Sequence, residues 1–183
     1  QPVAPATLSD SAKVSALATT FGAFAPAAIG QEQTRTLEND LLRVTFTTKG
    51  GRIKEVFLKK YEKVSVDTQG NDVKNPLRLL EDRKNRFEYI IPAANTSAGV
   101  NTADLYFTPA VSGNTITFRA PTSTGGYLEQ SYTLSPDNYQ LNYQVSANNL
   151  QSALSPGQNF LRLNWVNHLD KLERNQEYER TMS

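Results

Sequence analysis

The sequence predicts an all-β, antiparallel fold of the sandwich or barrel type, on three observations. Short runs in which apolar and polar residues alternate recur along the chain. The breaks between them carry Gly, Pro, Asn and Asp in the combinations that close hairpins. No long helical pattern lies between the runs to supply the crossovers that a parallel sheet needs. With 183 residues the chain has room for one domain with a real core and not for two.

Residues 1–35 are rich in Ala, Thr, Ser and Pro, with Pro2, Pro5 and Pro26, and read as a flexible tether that buries too little to offset its ordering entropy. A short helix from Ser9 to about Thr20, with Val14 and Leu17 on its apolar side, is the competing reading. The β domain is expected over residues 36–183. Its organising stretch is Thr36 to Tyr61: Leu42, Val44 and Phe46 alternate with Arg43, Thr45 and Thr47, Gly50-Gly51 makes a reversal, and Ile53 to Leu58 returns. The returning arm alternates poorly, with Ile53 and Phe57 on one face and Val56 and Leu58 on the other. A bulge near Lys54-Glu55, or burial on both faces, accounts for that.

A polar connection is expected from Glu62 to Asn75, with a turn at residues 69–72, and then a short edge strand from Pro76 to Leu80. Arg86 to Ile91 directs Phe87, Tyr89 and Ile91 inward, and residues 92–102 form a loop of small residues. Asp104 to Val111 and Thr115 to Ala120 flank Ser112-Gly113-Asn114, a three-residue hairpin loop. The clearest pattern follows. Leu128, Tyr132 and Leu134 share a face, Ser135-Pro136-Asp137-Asn138 is a type I turn, and Tyr139, Leu141, Tyr143 and Val145 alternate with polar residues on the return. Phe160 to Val166 adds a strand with Leu161, Leu163 and Trp165 inward. Asp170 to Arg180 reads as a polar helix with little beyond Leu172 and Tyr178 to bury.

Composition excludes several kinds of chemistry. Lys plus Arg number 19 against 18 Asp plus Glu, a balance that argues against binding nucleic acid through phosphate neutralisation. With no cysteine there is no thiolate catalysis, cysteine zinc site or disulfide. No window reaches the ~20 apolar residues of a membrane span, and no signal peptide is recognisable. Gln1 is not a natural initiator, so the chain is expected to be a fragment of a longer protein.

The candidate site residues are few. His168, the single histidine, could do acid–base work with Asp170 or Glu173, but a lone His at a strand end reads better as a surface residue. Glu81-Asp82-Arg83-Lys84 reads as a solvated turn, and Asp67, Asn71 and Asp72 only faintly suggest calcium. Tyr127, Tyr132, Tyr139 and Tyr143 suggest a sugar or peptide platform, although the last three fall on faces assigned to the core. Gly50-Gly51 lacks the strand-to-helix setting of a phosphate loop. No catalytic residue, metal site or cofactor is expected, and no binding residue can be specified.

Three segments in linked order resemble a known family: E-N-D-L-L-R-V-T-F-T-T-K-G-G-R-I-K-E-V-F-L-K-K-Y (Glu38 to Tyr61), P-L-R-L-L (Pro76 to Leu80) and S-Y-T-L-S-P-D-N-Y-Q-L-N-Y-Q-V (Ser131 to Val145). Together they are similar to the large periplasmic domain of the YidC membrane-protein insertases of Gram-negative bacteria, over about Thr34 to Arg180. The resemblance implies a β-supersandwich like that of galactose mutarotases, expected to be incomplete at its C-terminal end. It implies a place on the periplasmic face of the inner membrane, with attachment through segments outside this chain. Its implied partners are the Sec translocon and nascent membrane proteins, and its implied role is non-catalytic. The rival readings are a carbohydrate-binding β-sandwich and, behind it, a sugar enzyme using His168.

Overall fold

The structure, a computed structural model, describes residues 10–81, 84–158 and 160–168. The expected helix from Asp170 to Arg180 lies outside those residues, as do Asp82, Arg83, Asp170 and Glu173. Among the described residues eleven strands form three antiparallel sheets, and no barrel closes.

The first sheet has the order β1 (Thr34–Glu38), β2 (Leu42–Thr47), β3 (Arg52–Val66), β4 (Asp72–Glu81). Its organising turn is closed by Gly50 and Gly51 at φ 82° and 61°, a region that favours glycine. The bulge lies at Lys54, since Thr45 pairs with Glu55 while Phe46 pairs with Ile53. The extra residue reverses the alternation, so Ile53, Val56 and Leu58 stand opposite Phe46, Val44 and Leu42 on the inner face. Phe57 is left on the other face beneath the Arg43 guanidinium. Neither β1 nor the length of the β3–β4 ribbon was expected. The polar residues from Glu62 onward pair as strand, and the connection shrinks because the Asp67 carboxylate accepts the N–H groups of Gln69 and Asn71, each at 2.8 Å. Pro76 lies in the edge strand β4.

The second sheet has the order β10 (Leu141–Asn148), β9 (Tyr127–Leu134), β8 (Thr115–Pro121), β7 (Thr108–Ser112). Ser112 pairs directly with Thr115, so the hairpin loop is two residues, Gly113-Asn114, rather than three. At the other hairpin Leu134 pairs with Leu141, which widens the expected four-residue turn and starts β10 two residues beyond Tyr139. The third sheet is small: β11 (Arg162–Val166), β5 (Arg86–Ile91), β6 (Val100–Asn101).

The inner faces of the first two sheets meet at Phe46, whose ring centroid lies 4.8 Å from Tyr132 and 5.9 Å from Phe118. The N-terminal region departs from the flexible reading. Helix α1 spans Asp10–Phe21, and a 3-10 segment over Gly22–Ala28 buries Phe24 completely in the same core. Backbone bonds hold that segment from both sides: Tyr106 N donates to Ala27 O at 2.7 Å, and Ser123 N donates to Ala23 O at 2.8 Å. Phe21, Ala23, Ala27 and Ala28 pack against that core beside Phe24. On β11 the expectation fails in the opposite sense, for Leu163 is 43% and Trp165 67% exposed. They lie against a groove that no described strand covers.

Candidate functional site

The Gly50-Gly51 turn presents its carbonyl oxygens to the second sheet. Gln130 Nε2 donates to Gly50 O at 2.9 Å, and Tyr132 OH donates to Gly51 O at 3.0 Å. A Cβ on Gly51 would stand 2.9 Å from Gln130 Nε2 and 3.0 Å from the Phe107 ring, so the close approach needs glycine as much as the positive φ does. From Gln130 the network continues outward. Tyr143 OH donates to Gln130 Oε1 at 2.9 Å and lies 3.2 Å from Tyr89 OH, while Tyr89 N donates to Thr102 Oγ1 at 2.9 Å. A side-chain amide at the centre can serve both sheets because it carries donors and an acceptor on one planar group.

This network floors a groove of 560 Å³ between the three sheets. Phe87 stands edge-on to Tyr143 at 5.2 Å and to Trp165 at 6.0 Å, so the exposed indole is braced on one side and open on the other. Leu163 and Leu80 continue the wall. Among the described residues the charged side chains that line the groove are Arg52 and Arg86. A second hollow of 340 Å³ shares Tyr139 and Leu141 with the first and extends it over Leu42, Val44, Val56 and Leu58 on the inner face of the first sheet.

Burial sets the ionisation of the floor. It pushes the Tyr143 phenol far above the ordinary 10.0, and the neighbouring Tyr132 and Tyr89 phenols add to the shift. It raises Tyr132 likewise, with Tyr89 adding and Arg52 opposing. Both folded values exceed the unfolded one. The stability tied to these neutral phenols is therefore fully present below pH 10.0 and is lost as pH rises beyond it. In an alkaline titration followed by tyrosinate absorbance, two of the eight tyrosines are expected to ionise only as the fold is lost. Ordinary titration of all eight in a still-folded chain would contradict a buried floor.

The tyrosines singled out from the sequence separate. Tyr132 is buried and Tyr143 half-buried, both in the floor, but Tyr139 is 45% exposed, because it precedes β10 and leans on Tyr61 at 6.2 Å instead of entering the core. Tyr127 sits under the Arg119 guanidinium, away from the groove. His168 is exposed and its backbone N–H donates to Asn85 Oδ1, while its proposed acid partners Asp170 and Glu173 lie outside the described residues. Asp67 spends its carboxylate on its own turn, with Asn71 Nδ2 a further donor at 3.1 Å. Among the described residues no group of three or more His, Cys, Asp or Glu could hold a metal ion. Sequence reasoning missed Gln130. The available signal was a lone amide at a core position between Leu128 and Tyr132 in a strict period of two.

Fold and site together define an antiparallel β domain with an aromatic-lined groove. The chain belongs to the YidC periplasmic domain family, whose sequence model matches residues 34–182. It is 35% identical over 94% of its length to the membrane protein insertase YidC of Parabacteroides distasonis, and 34% identical over 82% to that of Phocaeicola vulgatus. With the Porphyromonas gingivalis insertase the identity is 30% over 93%. The chain covers 26%, 23% and 26% of those three proteins, about a quarter of each. No solved structure matches it. Among the described residues no helix is long and apolar enough to cross a membrane.

Proposed function

We propose that this chain is a non-catalytic periplasmic domain of a membrane protein insertase, which supports insertion and folding of inner-membrane proteins by contacting the Sec translocon or nascent substrates. The observation that carries the reading is the match to relatives named membrane protein insertases across nearly the whole chain. The groove supports it physically, since it offers apolar and aromatic contact area.

An antibody raised against the chain tests the reading in fractionated cells of the source bacterium. The expected band is much larger than 20.3 kDa and stays with inner membranes after a carbonate wash. Photo-crosslinkers placed on the domain's surface are then expected to capture translocon subunits or nascent membrane proteins. A soluble band near the size of the chain, or an insertase whose domain never crosslinks to either class, would overturn it. Exposed Trp165 and Tyr139 favour one second reading, a carbohydrate-binding module. Its expected signature is a saturable change in Trp165 fluorescence on adding saccharides, and a flat response sets it aside.

A further inference from the structure

One short stretch, residues 21–33, touches all three sheets. Gly22 lies so close to the β5–β6 connection of the third sheet that a Cβ there would stand 2.7 Å from Ala94 O. Ala23 O accepts Ser123 N from the β8–β9 connection of the second sheet, and Ala27 O accepts Tyr106 N just ahead of β7. Between those two bonds Phe24 is fully buried in the core. Farther on, the stretch reaches the first sheet. Gln33 N donates to Thr48 Oγ1 and Gln33 O accepts Thr48 N, each at 2.8 Å. The Glu32 carboxylate accepts Thr47 Oγ1 of β2 at 2.8 Å and Lys54 Nζ of β3 at 3.0 Å. Further bonds carry this attachment to the Gly50-Gly51 turn: Phe107 N donates to Thr48 O and Gly50 N donates to Leu105 O, each at 2.8 Å. Leu105, Tyr106 and Phe107 thus stand between the stretch and the turn whose carbonyls Gln130 and Tyr132 hold.

We infer that residues 21–33 are a clasp, a conformational device that holds the three sheets as one body and keeps the Gly50-Gly51 turn seated. The region matched by the family model starts at residue 34, so the clasp lies just ahead of it. A segment held at one place can peel away alone, and only the amides it covers then open. A segment held by three sheets must give up several contacts to leave, the burial of Phe24 among them, and its release opens backbone in each sheet it joined. Helix α1 runs directly into the clasp. The entry of the chain into the domain is therefore a fixed joint rather than a flexible tether. This holds whatever the domain docks to, so the clasp and the docking role proposed above stand or fall separately.

Native-state hydrogen exchange on the 183-residue chain tests the clasp. In the unaltered chain the amides it holds directly, those of Thr48, Tyr106 and Ser123, and the amides of Gly50 and Phe107 beyond them are expected to share one opening with the same dependence on urea. Phe24→Ala empties the core position of the clasp. Gly30→Ala unseats it from outside, because a Cβ there would stand 2.6 Å from Tyr106 Cβ, and it keeps Phe24, so the comparison does not depend on the first variant folding. In either variant these amides are expected to exchange at least about tenfold faster as a group, with a smaller change in the β9–β10 ladder. Chymotrypsin is expected to cut after Phe24 in Gly30→Ala and to spare that bond in the unaltered chain. Phe118→Leu, a core change that leaves the hydrogen bonds of the clasp in place, is the control and is expected to lower the urea midpoint without singling out these amides. Faster exchange confined to Tyr106 and Ser123, with Gly50 and Phe107 unchanged, would overturn the clasp and leave a segment packed on the second sheet alone. Equal acceleration of the group in Phe118→Leu would overturn it too, as plain loss of stability.

Discussion

Phe46→Ala is expected to lower the unfolding free energy by about 3–5 kcal/mol, the range for deleting a fully buried aromatic side chain. Phe46 has no exposed surface and stands between Phe118 and Tyr132, where the first and second sheets meet. Neighbours on both sides belong to hydrogen-bonded ladders, so the space left can collapse only partly. The loss also reaches the site, because Tyr132 holds the Gly51 carbonyl. Urea denaturation followed by Trp165 fluorescence measures it, with far-ultraviolet circular dichroism as the second probe that two-state analysis requires. Phe46→Leu, which keeps much of the volume, is expected to lose less than half as much. A loss below about 1 kcal/mol for the alanine variant would mean that the sheets are not joined through this residue.

Gln130→Leu is expected to cost about 2–4 kcal/mol although it replaces a polar core residue by an apolar one of similar size. Gln130 is 1% exposed, and its removal strands the buried Gly50 carbonyl and takes from the half-buried Tyr143 hydroxyl one of its two partners, leaving Tyr89. Stranded partners cost more than the bond itself contributes when made. Tyr143→Phe in the same chain removes the hydroxyl that had already lost its Gln130 partner, so the double variant is expected to be less destabilised than the two single losses summed. Additive losses in that cycle would show that Gln130 and Tyr143 do not act as one network.

Much of the fold was legible because β structure writes itself locally with a period of two. Leu128, Tyr132 and Leu134 announced their buried face, and the irregularity between Ile53 and Leu58 announced a bulge, found at Lys54. The misreadings share a cause. A polar run such as Glu62 to Val66 carries no burial signal, yet it pairs as strand once Asp67 closes the turn and a neighbouring backbone is present. Phe24 lies in the stretch read as a tether, and Leu163 and Trp165 were expected to face inward. Whether an apolar side chain is covered depends on what other segments place over it, which local periodicity does not encode. The groove was illegible for the same reason. Its lining comes from stretches as far apart as Arg52, Phe87, Tyr143 and Trp165, and no single segment signals it.

By itself, then, the sequence determined the all-β antiparallel class, the Gly50-Gly51 reversal, the absence of cysteine chemistry and the family, since each rests on residue identity or on spacing along the chain. Tertiary structure alone decided that Phe24 joins the core, that Gln130 binds the turn to the tyrosines, and that Trp165 lines a groove instead of entering the core. These are contacts between segments distant along the chain. Their energy comes from burial and from the partnering of polar groups across sheets, and that exists only after the sheets have packed.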